Sequence, residues 1–331
     1  MTELLLPAKV SSTRRARSHS KPLCLTQLVI PAVFWDRRPL SSSSVLPAND
    51  ACFAMQCGNP AEDFRFPQSV ILRYNAPMKV ISLQSGSNGN CIYVEANGVK
   101  LLFDAGISAI QVQERLAQHG LDATAVAAVL ISHNHVDHCR SMGILNRTFG
   151  LPIYATVQTY EAAKRFAPGA INDLRHFVAG KIVRFGKVTV ETIPTPHDAE
   201  DGVVFVVDDG KRRLGILTDL GHVFDGLADA ITSLDAVLLE SNYDPEMLAH
   251  SARPEWLKKR IAGPEGHISN FEAAELLNRA AAQRMKWACL GHLSQDTNTP
   301  ELALATHRKI LGDRLPLYLA TRHEVSGVME I

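Results

Sequence analysis

The 331-residue chain has no surplus of charge, because its 34 basic side chains are matched by 34 acidic ones. A balanced chain of this kind is not a scaffold that binds nucleic acid through bulk positive charge, and it has no long acidic tail. Its six cysteines include no Cys-x-x-Cys pair, which excludes a thiolate zinc knuckle or a disulfide framework and fits a reducing compartment. No apolar run approaches the roughly 18–20 residues that a membrane-spanning helix needs. We therefore expect a soluble, cytoplasmic protein without a membrane partner.

The first 77 residues differ in composition from the rest. They carry nine basic and five acidic side chains, whereas residues 78–331 carry 25 and 29. Eight prolines and several arginine- and serine-rich stretches occur there without a period of 2 or 3.6, which is typical of loop or disorder. A signal or transit peptide is a competing interpretation, but Pro31 interrupts the apolar stretch Leu23–Trp35 and no small-residue cleavage site follows. We expect a poorly ordered extension, or a start codon assigned too early, before one folded domain over residues 78–331.

From Met78 onward, short apolar segments alternate with turn signals. Asn97-Gly98 predicts a type I′ hairpin, and Asp209-Gly210 marks a second hairpin. The predicted strands cover residues 79–83, 91–95, 100–103, 127–131, 152–155, 187–193, 203–207, 214–218, 236–239, 287–290 and 316–319. The predicted helices cover residues 110–119, 157–166 and 271–284. This order predicts two β-sheets packed together with helices outside.

Four potential metal ligands fall within six residues at the exit of a strand, in His133-Asn134-His135-Val136-Asp137-His138. Three close imidazoles would repel one another if protonated, and they would cost stability if buried without partners. A divalent cation that binds the neutral rings and the carboxylate removes both problems. In an extended segment His133 and His135 point the same way and can reach one ion. If the chain then turns into a helix, Asp137 and His138 can serve a second ion; the alternative is a surface histidine cluster without metal.

The pattern His-x-His-x-Asp-His resembles the signature of the metallo-β-lactamase fold superfamily. Four further motifs, one before this segment and three after it, resemble the family's other conserved motifs in the same order along the chain. Each lies at the end of an apolar strand. They contain Asp104 in Phe103-Asp104-Ala105-Gly106, His197 in Thr195-Pro196-His197, Asp219 in Leu217-Thr218-Asp219, and His292 in Leu290-Gly291-His292. Taken alone, each of these four residues would more often be an ordinary hydrogen-bonded histidine or a turn aspartate. The resemblance implies an α/β fold, the αββα sandwich of two mixed β-sheets flanked by helices.

The same resemblance implies a centre with two divalent metal ions, zinc or manganese. The expected ligands are His133, His135 and His197 for one ion, Asp137, His138 and His292 for the other, and Asp219 as the bridge between them. Asp104 is expected to support the metal loop, and His222 to lie just behind the ligands. Four further histidines, His119, His176, His307 and His323, are expected to face solvent.

Two metal ions suit hydrolysis of phosphodiesters, lactams, thioesters or lactones, and three features favour phosphodiesters. His267 precedes a predicted helix with a Ser269-x-x-Glu272 capping box, where imidazole and backbone N–H groups can contact a phosphate. Its alternative role is to help cap that helix. It resembles the histidine that ribonuclease Z-like nucleases place near the scissile phosphate. The glycine-rich segment 86–91 and the segments 240–244 and 291–298 resemble those of the YycJ/WalJ group.

The YycJ/WalJ resemblance spans nearly all of residues 78–331 and implies a 5′-to-3′ DNA exonuclease related to DNA repair, with DNA favoured over RNA. A metal-activated hydroxide would attack phosphorus at the centre that contains Asp137, and His267 or Asp198 would assist the transition state or the leaving group. Only 72 residues separate Asp219 from His292, which leaves no space for the cap domain of β-CASP nucleases. Several basic residues could contact a nucleic-acid backbone, although most such charges are ordinary solvated groups: Arg140, Arg147, Lys164, Arg165, Lys211–Arg213 and Lys258–Arg260.

Two other classes of function stay open. A small-molecule hydrolase of the same fold, such as a cyclic phosphodiesterase or a thioesterase, is the alternative enzyme. A metal-dependent binding or regulatory protein without turnover is the third possibility, and the intact ligand set argues against it. The sequence leaves the metal identity and the oligomeric state undetermined.

Overall fold

In a computed structural model of the chain, the structure describes residues 76–166 and 168–331. They form two seven-stranded β-sheets. The prediction of an extension over residues 1–77 lies outside the described residues, apart from its last two, and stays a prediction.

The first sheet contains six strands from the front part of the domain and one from its end. Its strands are β1 (Lys79–Gln84), β2 (Cys91–Ala96), β3 (Val99–Phe103), β4 (Ala128–Leu130), β5 (Ile153–Ala155), β6 (Leu174–His176) and β14 (Met329–Glu330). Their spatial order is β14-β1-β2-β3-β4-β5-β6. The three pairs from β14 to β3 are antiparallel, and the three pairs from β3 to β6 are parallel.

The second sheet repeats this pattern of pairing. Its strands are β7 (Ile182–Phe185), β8 (Val188–Pro194), β9 (Val203–Asp208), β10 (Arg213–Leu217), β11 (Ala236–Glu240), β12 (Trp287–Gly291) and β13 (Leu317–Leu319). They follow one another in chain order across the sheet. The three pairs from β7 to β10 are antiparallel, and the three from β10 to β13 are parallel. The two sheets are therefore matching mixed sheets, strand for strand.

Helices fill the connections between the parallel strands. The α-helices are α1 (Ala109–Ala117), α2 (Val136–Cys139), α3 (Met142–Phe149), α4 (Val157–Ala163), α5 (Leu227–Thr232), α6 (Pro245–His250), α7 (Glu255–Ile261), α8 (Asn270–Ala280) and α9 (Pro300–Leu311). Two 3-10 turns cover Ala123–Ala125 and Lys164–Phe166. Among the residues that the structure describes, no helix is both long and apolar enough to cross a bilayer.

Three layers of apolar side chains hold these elements together. Between the sheets, alternate residues of both interdigitate, and the rings of Phe103 and Phe205 meet with centroids 5.1 Å apart. The opposite face of the first sheet packs on α1 through residues such as Val112 and Leu116. The opposite face of the second sheet packs on α8 through residues such as Leu277. The αββα sandwich expected from the sequence is confirmed.

The strand predictions hold at all eleven predicted positions, with bounds that differ by a residue or two. The sequence analysis missed β6, β7 and β14, which are short or lie at sheet edges and lack a long alternating pattern. It also missed α9, although Thr299 caps its N-terminus and Pro300 begins it, a usual helix-start signal. The predicted helix 271–284 ends earlier, at Ala280.

Two local predictions can be checked against backbone geometry. Asn97 and Gly98 both have positive φ, 48° and 78°, as a type I′ turn requires. The second hairpin exists, but it closes at the Asp208–Arg213 pair over a four-residue loop, in which Gly210 has positive φ.

The expectation that His307 faces solvent is wrong. His307 lies fully buried on α9, where its Nδ1 donates to the Ala303 carbonyl at 2.9 Å. Burial lowers the pKa of His307 to about 4, so the ring is neutral at physiological pH. Of the other three histidines in that prediction, His176 and His323 are exposed and His119 is half-buried.

The turn after β3 is packed tightly against α2. The Gly106 N–H donates to the Asn90 carbonyl at 2.8 Å, and a Cβ atom on Gly106 would lie 1.7 Å from the Asp137 carbonyl oxygen. That distance is far inside van der Waals contact, so only glycine allows the turn and the Asp137 segment to approach in this way.

We expect Gly106→Ala to lower the free energy of unfolding by roughly 1–3 kcal/mol, the usual cost of overpacking, because the Asp137 segment must move. Denaturant titration with circular dichroism measures this loss. Gly327→Ala is the matched control, since its added Cβ meets nothing within 4 Å and its φ is not positive. A Gly106→Ala protein as stable as the Gly327→Ala protein would contradict the role of this close approach.

Candidate metal centre

The predicted ligands converge at the carboxyl ends of the central strands. Among the described residues, four groups of side chains bring their ligand atoms within 4.8 Å of one another. The groups are His133, His135 and His197; Asp137, His138 and His292; His133, His138 and Asp219; and Asp219, Glu240, His267 and His292. All seven residues expected as ligands belong to these groups, and the groups share members, so they form one cluster.

The histidine-rich segment after β4 has the conformation that the ligand arrangement requires. His135 is extended, with φ −71° and ψ 146°, and caps the one-turn helix α2. His133 therefore lies in the extended part, whereas Asp137 and His138 lie on the helix. The chain turns at the point expected from the sequence.

Asp104 supports the histidine-rich segment through hydrogen bonds. It follows β3 with a φ of 67°, a left-handed conformation that aspartate tolerates better than most residues. One of its carboxylate oxygens accepts from the Ser132 N–H at 2.8 Å, and the other accepts from His138 Nδ1 at 2.7 Å. This hydrogen bond fixes the His138 ring so that Nε2 faces the cluster.

The first group contains neutral imidazoles. His197 Nδ1 donates to the Gly266 carbonyl at 2.8 Å, which turns its Nε2 toward His135, 3.2 Å away. Burial and the neighbouring imidazoles lower the pKa of His133 far below its usual range and that of His135 to about 4. Neutral imidazole is the form that ligates metals.

The second group, Asp137, His138 and His292, lies among carboxylates. Asp137 Oδ2 lies 3.5 Å from Nε2 of both His138 and His292. Burial alone would lower the pKa of His292, but Asp219, Asp137 and Glu240 raise it to about 10. These side chains thus create a strongly negative potential that favours positive charge at this position.

Asp219 lies between the two groups. Its Oδ1 is 3.5 Å from His197 Nε2 and from His292 Nε2, and its Oδ2 is 3.2 Å from His138 Nε2. Like Asp104, it follows a strand with positive φ, here 59° at the end of β10. Burial opposes its ionisation, yet His292 and His138 keep the pKa of Asp219 far below its usual range.

The donor set fits divalent cations. His133 Nε2 and His292 Nε2 are buried and have no hydrogen-bond partner among the residues described, which is costly unless another group satisfies them. Neutral imidazoles on one side and ionised carboxylates on the other are the ligands that zinc and similar ions bind.

Glu240 is a functional residue that the sequence analysis did not identify. It is fully buried at the end of β11, accepts from His267 Nδ1 at 2.6 Å and accepts from the Leu220 N–H at 3.0 Å. Burial would raise its pKa, but His267 and His292 lower the pKa of Glu240 to about 2. Its position directly after an apolar strand is the same signal that identified Asp219.

The glycine-rich segment 86–91 also contacts the centre. The Asn90 N–H donates to the Asp137 carbonyl at 2.7 Å, and Asn90 Nδ2 lies 2.9 Å from His138 Nε2. This loop therefore braces the metal-binding segment, a role that its sequence pattern alone does not indicate.

The remaining predicted site residues lie in different places. His267 reaches the cluster, with its ring centroid 5.0 Å from that of His197 and 5.3 Å from that of His292. Asp198 also reaches it, since its Oδ1 is 3.5 Å from His135 Nε2.

His222 does not reach the cluster. It is exposed and donates through Nδ1 to the Pro264 carbonyl at 2.7 Å. The chain turns away at Gly221, whose φ is 70°, so the expectation for His222 is corrected.

The cluster forms the floor of an open cleft of about 350 Å³. Arg165, Arg253 and Arg260 line its walls together with the ligands. Two of these three belong to the basic segments noted in the sequence. By contrast, Arg212 and Arg213 in another such segment pair with Asp209 and Asp208 away from the cleft.

Comparisons with known proteins agree with this geometry. Residues 100–287 match the family described as the β-lactamase superfamily domain. The chain is 34% identical over 233 residues to exodeoxyribonuclease YycJ of Bacillus anthracis, a match that covers 70% of this chain and 88% of the relative. The chain belongs to the YycJ/WalJ group of metallo-β-lactamase-fold proteins. Exodeoxyribonuclease WalJ of Streptococcus pneumoniae is 35% identical over 227 residues, covering 68% of this chain and 84% of that protein.

Solved structures support the fold of this YycJ/WalJ-type chain. The metallo-β-lactamase fold protein YhfI from Bacillus subtilis superposes with a TM-score of 0.60 at 17% identity, covering 77% of this chain and all of that one. Zn²⁺-bound PqqB from Methylobacterium extorquens superposes with a TM-score of 0.58 at 17% identity, covering 76% of this chain and all of that one. The family expected from the motifs is confirmed, and with it a metal-dependent hydrolase of the nuclease type.

We expect Asp104→Asn to weaken metal binding about 10–100-fold, the usual effect of losing a carboxylate that orients a ligating histidine. Asparagine tolerates the positive φ, so the backbone turn is kept. Competition with a fluorescent chelator measures the affinity. Asp201→Asn is the matched control, because Asp201 also has positive φ, 52°, but belongs to none of the four groups. Equal affinities of the two variants would show that Asp104 does not orient His138.

Proposed function

We propose that this chain is a DNA exonuclease that hydrolyses phosphodiester bonds from the 5′ end at a centre of two divalent metal ions. The observation that carries the proposal is the convergence of seven metal-binding side chains on the floor of a cleft with arginines in its walls. The names of the relatives, exodeoxyribonucleases at 34–35% identity, support DNA as the substrate. The same resemblance supports a role in DNA repair. Free, buried Cys91, Cys139 and Cys289 support a cytoplasmic location.

The proposed ligands follow the clusters. His133, His135 and His197 would hold one ion, Asp137, His138 and His292 the other, and Asp219 would serve both. When bound, such a pair of ions lowers the pKa of a water molecule and neutralises charge on the phosphate. The imidazole-rich part of this donor set suits zinc, and the carboxylates also suit manganese.

His267 is the residue best placed to act on the substrate. Its Nδ1 donates to Glu240, which stays ionised with a pKa of about 2, so the hydrogen bond fixes the ring. His267 also lines the cleft, which leaves its other nitrogen, Nε2, for the substrate. We assign to it a hydrogen bond or a proton donated to a phosphate or leaving oxygen.

Asp198 is oriented by Arg260. Two guanidinium nitrogens of Arg260 bind its Oδ2 at 2.7 and 2.6 Å. Its Oδ1 is buried without a hydrogen-bond partner among the described residues and lies within 3.6 Å of Nε2 of His135 and of His197. This position supports an assisting role for Asp198 beside the first ion.

The cleft volume favours one further candidate function. A cavity of about 350 Å³ lies at the lower end of the roughly 300–1,000 Å³ range of small-ligand pockets. A small-molecule hydrolase, such as a cyclic phosphodiesterase or thioesterase, would fit it. An exonuclease also fits, because it needs to admit only the end of one strand.

We expect the full-length protein with zinc or manganese to shorten labelled DNA from the 5′ end, and Asp137→Ala to do so at least about a thousandfold more slowly. The loss follows from removing a carboxylate of the metal cluster, where charge stabilisation amounts to several kcal/mol. Denaturing gels of 5′- and 3′-labelled single- and double-stranded DNA and RNA give rate, polarity and preferred polymer. Asp313→Ala, in an exposed turn after α9, is the control.

Two results would overturn this function. Equal degradation by wild type and Asp137→Ala would assign the activity to a contaminant. Hydrolysis of bis(p-nitrophenyl) phosphate without shortening of any polymer would favour the small-molecule phosphodiesterase.

We expect His267→Gln to lower kcat about 10²–10⁴-fold, the range for loss of a general acid or base, while bound metal stays near its wild-type amount. Steady-state kinetics and elemental analysis of the same preparation separate the two effects. His267 also belongs to a group with Asp219, Glu240 and His292, so loss of one metal ion from the variant would instead make it a ligand.

A further inference from the structure

Trp256 is a large aromatic residue whose side chain is mostly exposed to solvent. Its side chain is 67% accessible on α7, whereas Trp287, the other described tryptophan, is 3% accessible within the core. Indole is among the largest apolar side chains and is highly buried on average. Single exposed apolar side chains are common on protein surfaces, so the neighbours of Trp256 decide what it can do.

The segment that presents Trp256 has a fixed position relative to the metal centre. The α6–α7 segment, residues 245–261, rests on its own apolar cluster of Tyr243, Leu248 and Ile261. The His267 N–H donates to the Ile261 carbonyl at 2.8 Å. Arg260 of the same segment binds Asp198. The helix is thus tied directly to residues of the site.

Trp256 lies about one helical turn from Arg260, a residue that lines the cleft. The next residue, Leu257, and the residue one turn further, Arg260, both line the cleft. Side chains four apart on a helix are neighbours, with Cβ atoms about 5–6 Å apart. The indole and the Arg260 guanidinium therefore share one face of α7 beside the opening.

Arginines line the cleft on two sides, and two of them also pair with carboxylates, Arg253 with Asp296 and Arg260 with Asp198. Arg253 and Arg260 line the cleft from the α6–α7 side, and Arg165 lines it from the end of α4. An exposed aromatic ring beside arginines is the combination with which proteins hold single-stranded nucleic acid, because bases stack on the ring and phosphates bind the cations. A small ester would need neither the ring nor this charge.

We propose that Trp256 is a stacking platform for one base of a single-stranded end of the DNA substrate, whose neighbouring phosphates contact Arg253 and Arg260. The inference rests on the proposed exonuclease function and names the part of the protein that distinguishes a polymer from a small phosphodiester.

The first experiment measures binding to the metal-loaded, full-length protein. A fluorescein-labelled phosphorothioate oligothymidylate, which resists hydrolysis, is titrated and followed by anisotropy. We expect Trp256→Ala to raise Kd at least about fivefold, since one stacked base contributes roughly 1–3 kcal/mol. Trp256→Phe should restore most of the affinity, and Trp256→Leu should behave like Trp256→Ala. Ile110→Ala, at a 71% exposed apolar residue of α1, is the matched control and should bind like wild type.

A second readout identifies the stacked base. Single abasic positions are introduced one at a time along the oligonucleotide. At one position, we expect the missing base to weaken DNA binding by the wild-type protein as much as the Trp256→Ala substitution does. At that same position, the missing base should not weaken DNA binding by Trp256→Ala any further. If every abasic position weakens both proteins equally, Trp256 does not stack on a base.

Salt dependence separates stacking from charge. Arg253→Gln should reduce the slope of log affinity against log salt by about 0.7, the value for one phosphate contact on a single strand. Trp256→Ala should lower affinity with the slope unchanged. A Trp256→Ala protein within twofold of wild-type affinity overturns the proposal. The proposal is also overturned if Trp256→Ala loses a self-association that wild type shows in sedimentation while its DNA affinity is unchanged. The ring would then contact a second copy of the chain.

The outcomes also separate this proposal from the function on which it rests. If the wild-type protein neither binds nor shortens DNA, the exonuclease assignment fails. If the wild-type protein shortens DNA and Trp256→Ala has the same KM for the oligonucleotide, the exonuclease stands and the stacking platform fails.

Discussion

The structure depends on compensating charge that is buried at one end of two sheets. Asp104, Asp219 and Glu240 are all buried there, where a carboxylate is costly unless it has hydrogen-bond or ionic partners. Each carboxylate faces an imidazole: Asp104 binds His138, Glu240 binds His267, and Asp219 lies among four histidines. A divalent cation suits the same positions, since it satisfies the unpartnered imidazole nitrogens and the carboxylates together. Cation binding and local folding are therefore linked.

The matching sheets explain how the ligands converge. Each sheet has three antiparallel pairs followed by three parallel pairs, and β3 and β10 occupy corresponding places where the pattern changes. Asp104 and Asp219 follow these two strands, both with left-handed φ. That conformation turns the chain at the strand end, and both carboxylates contact the histidine cluster there. His292 has the same kind of φ, 53°, after β12. Similar strand ends thus supply different ligands to one centre.

The walls of the cleft carry side chains that can contact a substrate outside the metal centre. Bound cations would polarise a phosphodiester, but they would not distinguish a small ester from a strand of DNA. His267, which donates to Glu240, and Asp198, which accepts from Arg260, lie beside the candidate ligands. The α6–α7 segment supplies Arg253, Arg260 and Trp256 at the opening. The candidate metal ligands therefore lie at the sheet ends, and the proposed contacts to DNA lie in the connection between β11 and α8.

The sequence by itself determined the architecture and singled out seven side chains that the structure brings together, because both follow from local patterns. Apolar runs defined the strands, and His133–His138 placed several ligand types so close together that few other roles are possible. The sequence could not determine Glu240 as the partner of His267, Asn90 as a brace of the metal loop, or the outward position of His222. Those depend on contacts between residues about 20 to 50 positions apart in the chain. The tertiary structure also decided that Trp256 is exposed beside arginines and that His307 is buried, because burial depends on which faces the packed elements cover.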